Sequence, residues 1–483
     1  MHAPLSVKVF LLSLPLNTAS GVTDLGKRQE INRDVVIVGG GASGTYAAVR
    51  LREDLNTSVV VIEPQDRLGG HVATYTVPGT NTTIDYGVQS YINYGPALDF
   101  FTRFNIETKQ FINERRTPIN VDITTGKLLT GYIPPNSTAF TEEFREWLAF
   151  AEQYEHLMSP GFWDFPLPEH IPPELLVPFR ETAKRIGLHN ALPLMFSISG
   201  TGTGGIGHDF ATLSMLRYFG APITRGVIAT SLLQPVVSNS LLYHRAYDLL
   251  NDDVLLEGFI KKTERKRSGV RMVVKTKTGE VVINAKKVLW TPQPKHGGNL
   301  EVFDEDEKEA DVFRKLGDTY LYIGVAHIPC IPETNQLNSL SPKAVPSNYM
   351  DSRAAPYSVA ISPTGPLGLG LFRSMLTSTV PMNASGAKRL IAAEVQRAID
   401  GGALNYTGKC EVDFKAFTDH SGVEWPQDIK SLKQGFIQKL YGLQGYRNTW
   451  WTGRVFSAET YSSNIWAFTD EVVEKLVQDL QRS

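Results

Sequence analysis

The chain has 483 residues, enough to bury a large core and to divide into more than one domain. Hydrophobic residues make up 42% and charged residues 20%, ordinary for a globular protein, and the net charge is −2. No basic run or aromatic-interleaved basic stripe occurs, so neither a nucleic acid nor an anionic membrane is expected as a partner.

His2 and Lys8 give a weakly basic start, Val9 to Leu16 an apolar run broken by Pro15, and Thr18-Ala19-Ser20 small residues suited to cleavage. This order fits a secretory signal peptide over 1–20, and the run is far too short to span a bilayer, so no transmembrane span is expected. The alternative is a disordered N-terminal arm. Lys27-Arg28 offers a dibasic processing site in a linker over 21–32. Five N-x-S/T sequons, at Asn56, Asn81, Asn136, Asn383 and Asn405, agree with a glycoprotein of the secretory pathway or one that is secreted. Cys330 and Cys410 either form one disulfide in an oxidising lumen or stand as separate buried thiols. No Cys/His cluster has zinc-ligand spacing, and no metal is expected.

Asp34 to Arg52 reads as strand, glycine turn and helix. Val35 to Val38 are continuous and β-branched, as a strand buried on both faces requires. Gly39, Gly41 and Gly44 supply the G-x-G-x-x-G spacing: a sharp turn, a close approach to a pyrophosphate, and close packing of helix on strand. The helix from about Ala42 to Glu53 aims its first amides, with Ser43 among them, at the phosphates. Val59 to Ile62 form a second strand. Glu63, about 20 positions after Gly44, can accept both ribose hydroxyls of an adenosine and argues against a 2′-phosphate. Beyond it, Arg67 can neutralise a diphosphate, while Gly69 and Gly70 bring backbone N–H groups close to a planar ligand.

Arg67-Leu68-Gly69-Gly70-His71 resembles the R-x-G-G-R motif of the amine oxidase-like flavoproteins, with His71 where those proteins usually carry a second arginine. Ile84-Asp85-Tyr86-Gly87 is similar to their D-x-G segment beside the isoalloxazine ring. Over residues 33 to 95 the wording is closest to fungal FAD oxidoreductases of the β-cyclopiazonate dehydrogenase type, from natural-product gene clusters. The resemblance implies a Rossmann-like FAD-binding domain of the glutathione reductase type, interleaved with an α+β substrate-binding domain. It places the cofactor domain at 33–95, 236–300 and 436–483, and the substrate domain at 96–235 and 301–435. It implies FAD as cofactor and a lipophilic polycyclic substrate. His71 then either meets the flavin, as hydrogen-bond donor or as the site of covalent attachment, or merely replaces the arginine.

Helical periodicity marks Glu142 to Tyr154 and Pro173 to Ile186. The glycine-dense run Ser199 to Gly207 has no strand leading into it and reads as a loop near the substrate cleft. A meander follows: Asp253 to Lys262, Val270 to Lys275, Val281-Val282 and Val288 to Pro292. In the resembled superfamily, backbone near Ile260 and Lys262 would bracket the adenine. Tyr320 to Val325 and Ala355 to Ile361 read as substrate-domain strands, and Ala387 to Ile399 as an amphipathic helix. Trp450 to Phe456 reads as a last strand. Thr460, Ser462 and Ser463 precede a helix from Ile465 to about Leu480, with Ser462 or Ser463 as N-cap. The resemblance aims that helix end at the flavin, where a positive dipole favours the reduced form.

A flavin needs no Ser-His-Asp or Cys-His constellation to accept hydride, and none is evident. His71, His208 and Tyr441 are the candidate bases or pocket donors. Tyr441, Tyr446, Trp450 and Trp451 are either aromatic walls beside the flavin or core. The expected activity is FAD-dependent hydride abstraction, as oxidase or dehydrogenase, giving a double bond or oxidative ring closure, with dioxygen or another acceptor reoxidising the flavin. A double-bond isomerase and a flavin amine oxidase are the alternatives, and a non-catalytic flavin carrier is a further one.

Overall fold

The computed structural model of the chain describes residues 29–112, 116–203, 210–351, 355–426 and 428–482. The signal-peptide segment 1–20, the Lys27-Arg28 pair and His208 lie outside the described residues.

The β-branched run Val35–Val38 lies inside a seven-stranded sheet, and Val35, Val36 and Ile37 have no exposed surface. Gln29–Val38 pairs in parallel with Val59–Glu63 on one side and with Gly279–Trp290 on the other. Parallel neighbours require a crossover, and the helix Ala42–Val49 supplies it. A single wider π-helical turn, Arg50–Asp54, completes that helix. The C-terminal helix Ser462–Arg482 lies against it. Tyr46 Oη donates to Asp470 at 2.8 Å, Arg50 Nε donates to the same carboxylate at 2.7 Å, and Trp466 Nε1 donates to Ala42 O at 3.0 Å.

The first strand starts earlier than expected. Gln29 to Asn32, read from sequence as linker, pair with Val281 to Asn284. The reason is the length of the partner. The two segments expected at Val281-Val282 and Val288 onward are one 12-residue strand, whose backbone groups need a neighbour along their whole run. The meander Phe259–Lys266, Gly269–Thr276 and Gly279–Trp290 is antiparallel. Arg265 is sealed beneath it, bonded to Glu309 at 2.5 Å and Asp304 at 2.6 Å. The last strand is shorter than expected, Thr449–Trp451, because Gly453 turns the chain with φ 90°.

A second seven-stranded sheet is mainly antiparallel. Its order is Asp413–Asp419, Gly317–His327, Leu371–Ser378, Tyr357–Pro363, Asn335–Leu340 and Thr117–Asp122, with Gly422–Glu424 also beside Gly317–His327. Successive residues point to opposite faces. One face, with Tyr322, Phe372 and Leu376, packs under the helix Ala384–Asp400, and the Cys330–Cys410 disulfide closes the same cluster. The other face carries Leu321, Ile323, Val325, Tyr357, Val359, Leu371 and Met375. It packs on Ala73, Ile84 and Tyr86, around the hairpin of Thr74–Thr76 with Thr83–Asp85.

Three helical segments refine the sequence reading. Ser137–Met158 is capped by Asn136, whose side chain accepts from Thr138 N and Ala139 N. The helix expected over 173–186 is divided: Pro178 admits only a 3₁₀ turn, Pro173–Leu176, before Phe179–Ile186 begins. Leu192–Thr203 is helical, so the glycine-dense run begins as helix rather than loop, and its residues 204–207 lie outside the described part. Propagating a formed helix is easier than ending it, and this one packs on the strands Gly317–His327, Tyr357–Pro363 and Leu371–Ser378.

Candidate functional site

The site lies at the carboxyl ends of the parallel strands, where open α/β sheets bind ligands. Gly39 takes φ 91° and its amide donates to Ile62 O at 2.8 Å. A Cβ on Gly44 would lie 1.8 Å from Gly39 O, so helix and turn touch as only glycine permits. The first helical bond runs from Thr45 N to Gly41 O, which leaves the amides of Ala42, Ser43 and Gly44 as the helix's N-terminal donors. Gly453 comes round from the far end of the chain beside Ser43; a Cβ on it would be 3.5 Å from Ser43 Oγ. Gly69 N donates to Gly40 O at 2.9 Å, and a Cβ on Gly70 would sit 2.9 Å from Gly41 Cα. The two glycine segments therefore form one cradle.

Glu63 is buried at the end of its strand. One carboxylate oxygen accepts from Gly40 N at 2.7 Å and the other from Gln65 N at 2.8 Å. Each oxygen keeps a lone pair for a ribose hydroxyl. Burial raises its pKa, opposed by the Gln65 and Gly40 amides and by Arg67. Arg67 donates to Leu68 O and Gly70 O and has no carboxylate partner among the described residues. An unneutralised guanidinium between a ribose-binding acid and a helix N-terminus fits a dinucleotide diphosphate. Gly258 N donates to Glu63 O at 3.0 Å, which brings the strand start and Ile260 to the adenosine end.

Opposite the cradle stands His71. It is surrounded by protein yet keeps accessible surface, so it faces an internal cleft. Its ring stacks on His420 at 4.3 Å and 13°. Burial and then the Arg454 charge lower the His71 pKa to about 4, and burial with His71 and Arg373 carries His420 well below its ordinary value. Both rings are neutral near pH 7. Gly87 packs against the backbone here: a Cβ on it would meet His71 O at 2.3 Å. Arg373 holds Tyr86 O through Nε at 2.8 Å and reaches Gly87 O through Nη2 at 3.5 Å. Arg454 bonds Glu424 at 2.7 Å, and Arg217 bonds the other oxygen of that carboxylate at 2.9 Å.

The structure thus brings Gly39, Gly41, Ser43, Gly44, Glu63, Arg67, Gly69, Gly70, His71, Gly87 and Ile260 together. Other expected residues are committed elsewhere. The Lys262 side chain extends outward to Glu264, while its backbone pairs with Val273 two positions beyond Ile260. Asp85 accepts from Thr74 across its own hairpin and from Asn239 N, which ties the hairpin to the start of the helix Ser240–Leu250. Tyr441 is no base: its hydroxyl accepts from Phe162 N and donates to Phe456 O, and burial raises its pKa. Trp451 packs among Trp290, Phe303, Phe313 and Phe456 as core, Trp450 donates to Asp479, and Tyr446 donates to Asp306. Neither Ser462 nor Ser463 is the N-cap. Tyr461 O accepts the first helical bond, from Ile465 N, while Ser463 Oγ donates to Ile92 O. Thr460 stands just ahead of that turn, half-buried. His420, Arg373 and Arg454 escape sequence reasoning because nothing near them forms a motif; strand pairing turns Arg373 inward, while His420 and Arg454 arrive on the chain just past strand ends.

Comparison with known proteins agrees with this geometry. Residues 37–104 match the family described as NAD(P)-binding Rossmann-like domain. The FAD-dependent oxidoreductase dbaF of Emericella nidulans is 32% identical over 94% of this chain and 93% of its own. The FAD-dependent oxidoreductase oblC of Cochliobolus heterostrophus is 31% identical over 93% and 92%. The β-cyclopiazonate dehydrogenase of Aspergillus flavus is 28% identical over 92% and 93%. Among solved structures, a fatty acid isomerase from P. acnes that produces CLA superposes with a TM-score of 0.66 at 14% identity, covering 92% of this chain and 98% of its own. A putrescine oxidase bound to putrescine gives 0.61 at 14% identity, covering 93% and 100%.

Proposed function

The chain belongs to the fungal FAD-dependent oxidoreductases, and on that premise we propose that it removes hydride from a lipophilic polycyclic substrate of fungal secondary metabolism. The substrate class is terpenoid, indole or polyketide-derived. The outcome is a new double bond or an oxidative ring closure, with dioxygen or another acceptor taking the electrons. One observation carries the reading: the inner face of the second sheet, from Leu321 to Met375, is an almost wholly apolar floor beside the Tyr86-Gly87 segment and His71.

Bound FAD supplies the two-electron acceptor. The protein does the rest. The Gly39–Gly44 turn and the amides behind it hold the diphosphate, Arg67 neutralises it, and Glu63 grips the ribose. Leu321 and Met375, the least buried of that face, would orient an apolar skeleton, with Ile323 and Val325 as the dry core beneath them. His420, itself neutral, stacks on His71, and its Nε2 is buried with no hydrogen-bond partner among the described residues, out of reach of a substrate proton. His71 is neutral too, the state in which a ring nitrogen can be joined to the flavin 8α-methyl.

Anaerobic addition of candidate substrates to purified protein tests the proposal. Bleaching of the visible flavin band, with a product two hydrogens lighter, is the expected result. A rearranged product of unchanged mass would instead mean isomerisation, and ammonia release an amine oxidase. Protein that is colourless and takes up no FAD would end the reading. Acid precipitation reports the His71 linkage: a yellow pellet for covalent flavin, a yellow supernatant for dissociable flavin.

The same proposal places the protein in the secretory pathway or outside the cell. All five sequon asparagines are exposed, and Cys330 and Cys410 are joined. Asn136 and Asn383 cap helices through Oδ1, which leaves Nδ2 for a glycan. A mass decrease on endoglycosidase treatment of protein from the native host is expected; an unchanged mass speaks against this location.

A further inference from the structure

We propose that Arg373 binds a delocalised oxyanion on the substrate, a carboxylate or an enolised 1,3-dicarbonyl. The inference rests on the function proposed above and narrows its substrate class.

Arg373 lies on the strand Leu371–Ser378, paired with Val325 on one side and Ser362 on the other. Alternation puts it on the inner face with Leu371 and Met375. It sets a cation beside the apolar side chains of that floor. Its bonds account for part of the guanidinium only: Nε goes to Tyr86 O, Nη2 to Gly87 O and weakly to Met375 Sδ at 3.8 Å. Nη1 has no partner among the described residues, and Arg373 forms no ion pair there. It is not sealed away, because Nη1 is absent from the buried unbonded atoms and the residue keeps partial exposure.

Candidate counter-charges are spent elsewhere. Asp85 is held by Thr74 and Asn239, Glu424 by Arg217 and Arg454, and Glu63 by backbone amides. Burial alone lowers the Arg373 pKa, to about 10, so it remains charged at neutral pH. A partly buried cation with no anion is costly, whereas its fork of donors matches a planar oxyanion. The diphosphate cannot serve, because it belongs at the Gly39–Gly44 turn. Arg373 instead reaches Gly87 O and lies close enough to His420 for its charge to act there, and His420 stacks on His71 at the flavin end. A ligand lying on the apolar floor with its anion on Nη1 is anchored beside that end.

The FAD-loaded protein is titrated with benzoate and with 5,5-dimethyl-1,3-cyclohexanedione as its enolate, against benzamide and benzylamine as neutral and cationic controls. The readout is the shift of the visible flavin spectrum. The wild type is expected to respond saturably to both anions and weakly to the controls. Arg373→Met should weaken anion binding by about 10- to 100-fold, Arg373→Lys by less, with FAD content and melting temperature near wild type. Equal response to benzamide and benzoate in the wild type overturns the proposal, and that measurement does not depend on any variant folding. So does an unchanged anion affinity in Arg373→Met, or loss of FAD in both variants, which would assign Arg373 to the cofactor. If the wild type takes up no FAD at all, it is the functional reading that has failed.

Discussion

The two seven-stranded sheets differ in how they are held and in what they do. The cofactor sheet is mostly parallel with central strands buried on both sides, and its ends are fixed by glycine contacts and a sealed ion pair. The second sheet has one face closed by a helix and a disulfide and another that is apolar around the guanidinium of Arg373. A dinucleotide is constant in shape, so its sheet can be built rigidly around it.

The largest contrast is expected from Gly44→Ala. A methyl 1.8 Å from Gly39 O forces the helix off the turn, so the protein should lose FAD altogether, read as absent absorbance in the visible range after desalting. Retention of full FAD would show that the cradle tolerates separation. Next is Arg265→Met in the cofactor half. Its side chain is fully buried and Glu309 is 1% exposed, so stripping that carboxylate of its two-pronged partner, with only Arg447 left at 3.5 Å, should cost about 3 kcal/mol, measured by denaturant unfolding. The double variant Arg265→Met/Glu309→Met should regain much of the loss. In the half built on the second sheet, replacing Cys330 and Cys410 by serine opens a closed loop with a sequence separation of 80. This should cost about 2–4 kcal/mol while FAD stays bound; simultaneous loss of FAD would mean that the halves fold as one unit.

The smallest effect concerns pH and falls where the halves meet. The folded His71 pKa is about 4 against an ordinary 6.5, and His420 is lowered as well. The unfolded chain therefore binds protons below about 6.5 that the folded chain refuses until about 4. Stability is complete above that window and declines as pH falls through it. Melting temperatures taken from pH 7 to pH 5 should decrease, and less steeply in His420→Asn; parallel slopes would mean that the imidazoles are not held neutral.

The same contrast explains which features are legible in the amino-acid sequence. Continuous runs such as Val35–Val38 and Val59–Ile62 state their burial outright, and Gly39, Gly41 and Gly44 have meaning through local spacing. The substrate half is different. Arg373 is one arginine on an alternating strand, and only its pairing with Val325 and Ser362 turns it inward. His420 becomes relevant only because the fold stacks it on His71, a residue far away in the sequence. Local signals also misled: Pro178 split one helix, Gly453 cut short a strand, and the apolar Leu192–Ile198 carried helix into glycines.

The bond from Trp466 to Ala42, and the seating of Gly453 beside Ser43, join two stretches that lie more than four hundred positions apart. During synthesis the ribosome delivers the nucleotide turn long before the pieces that brace it. The wall completing that cradle arrives only with the helix carrying Trp466, so firm capture of the flavin must await that helix, and a transcript cut short ahead of it should yield apoprotein destined for degradation.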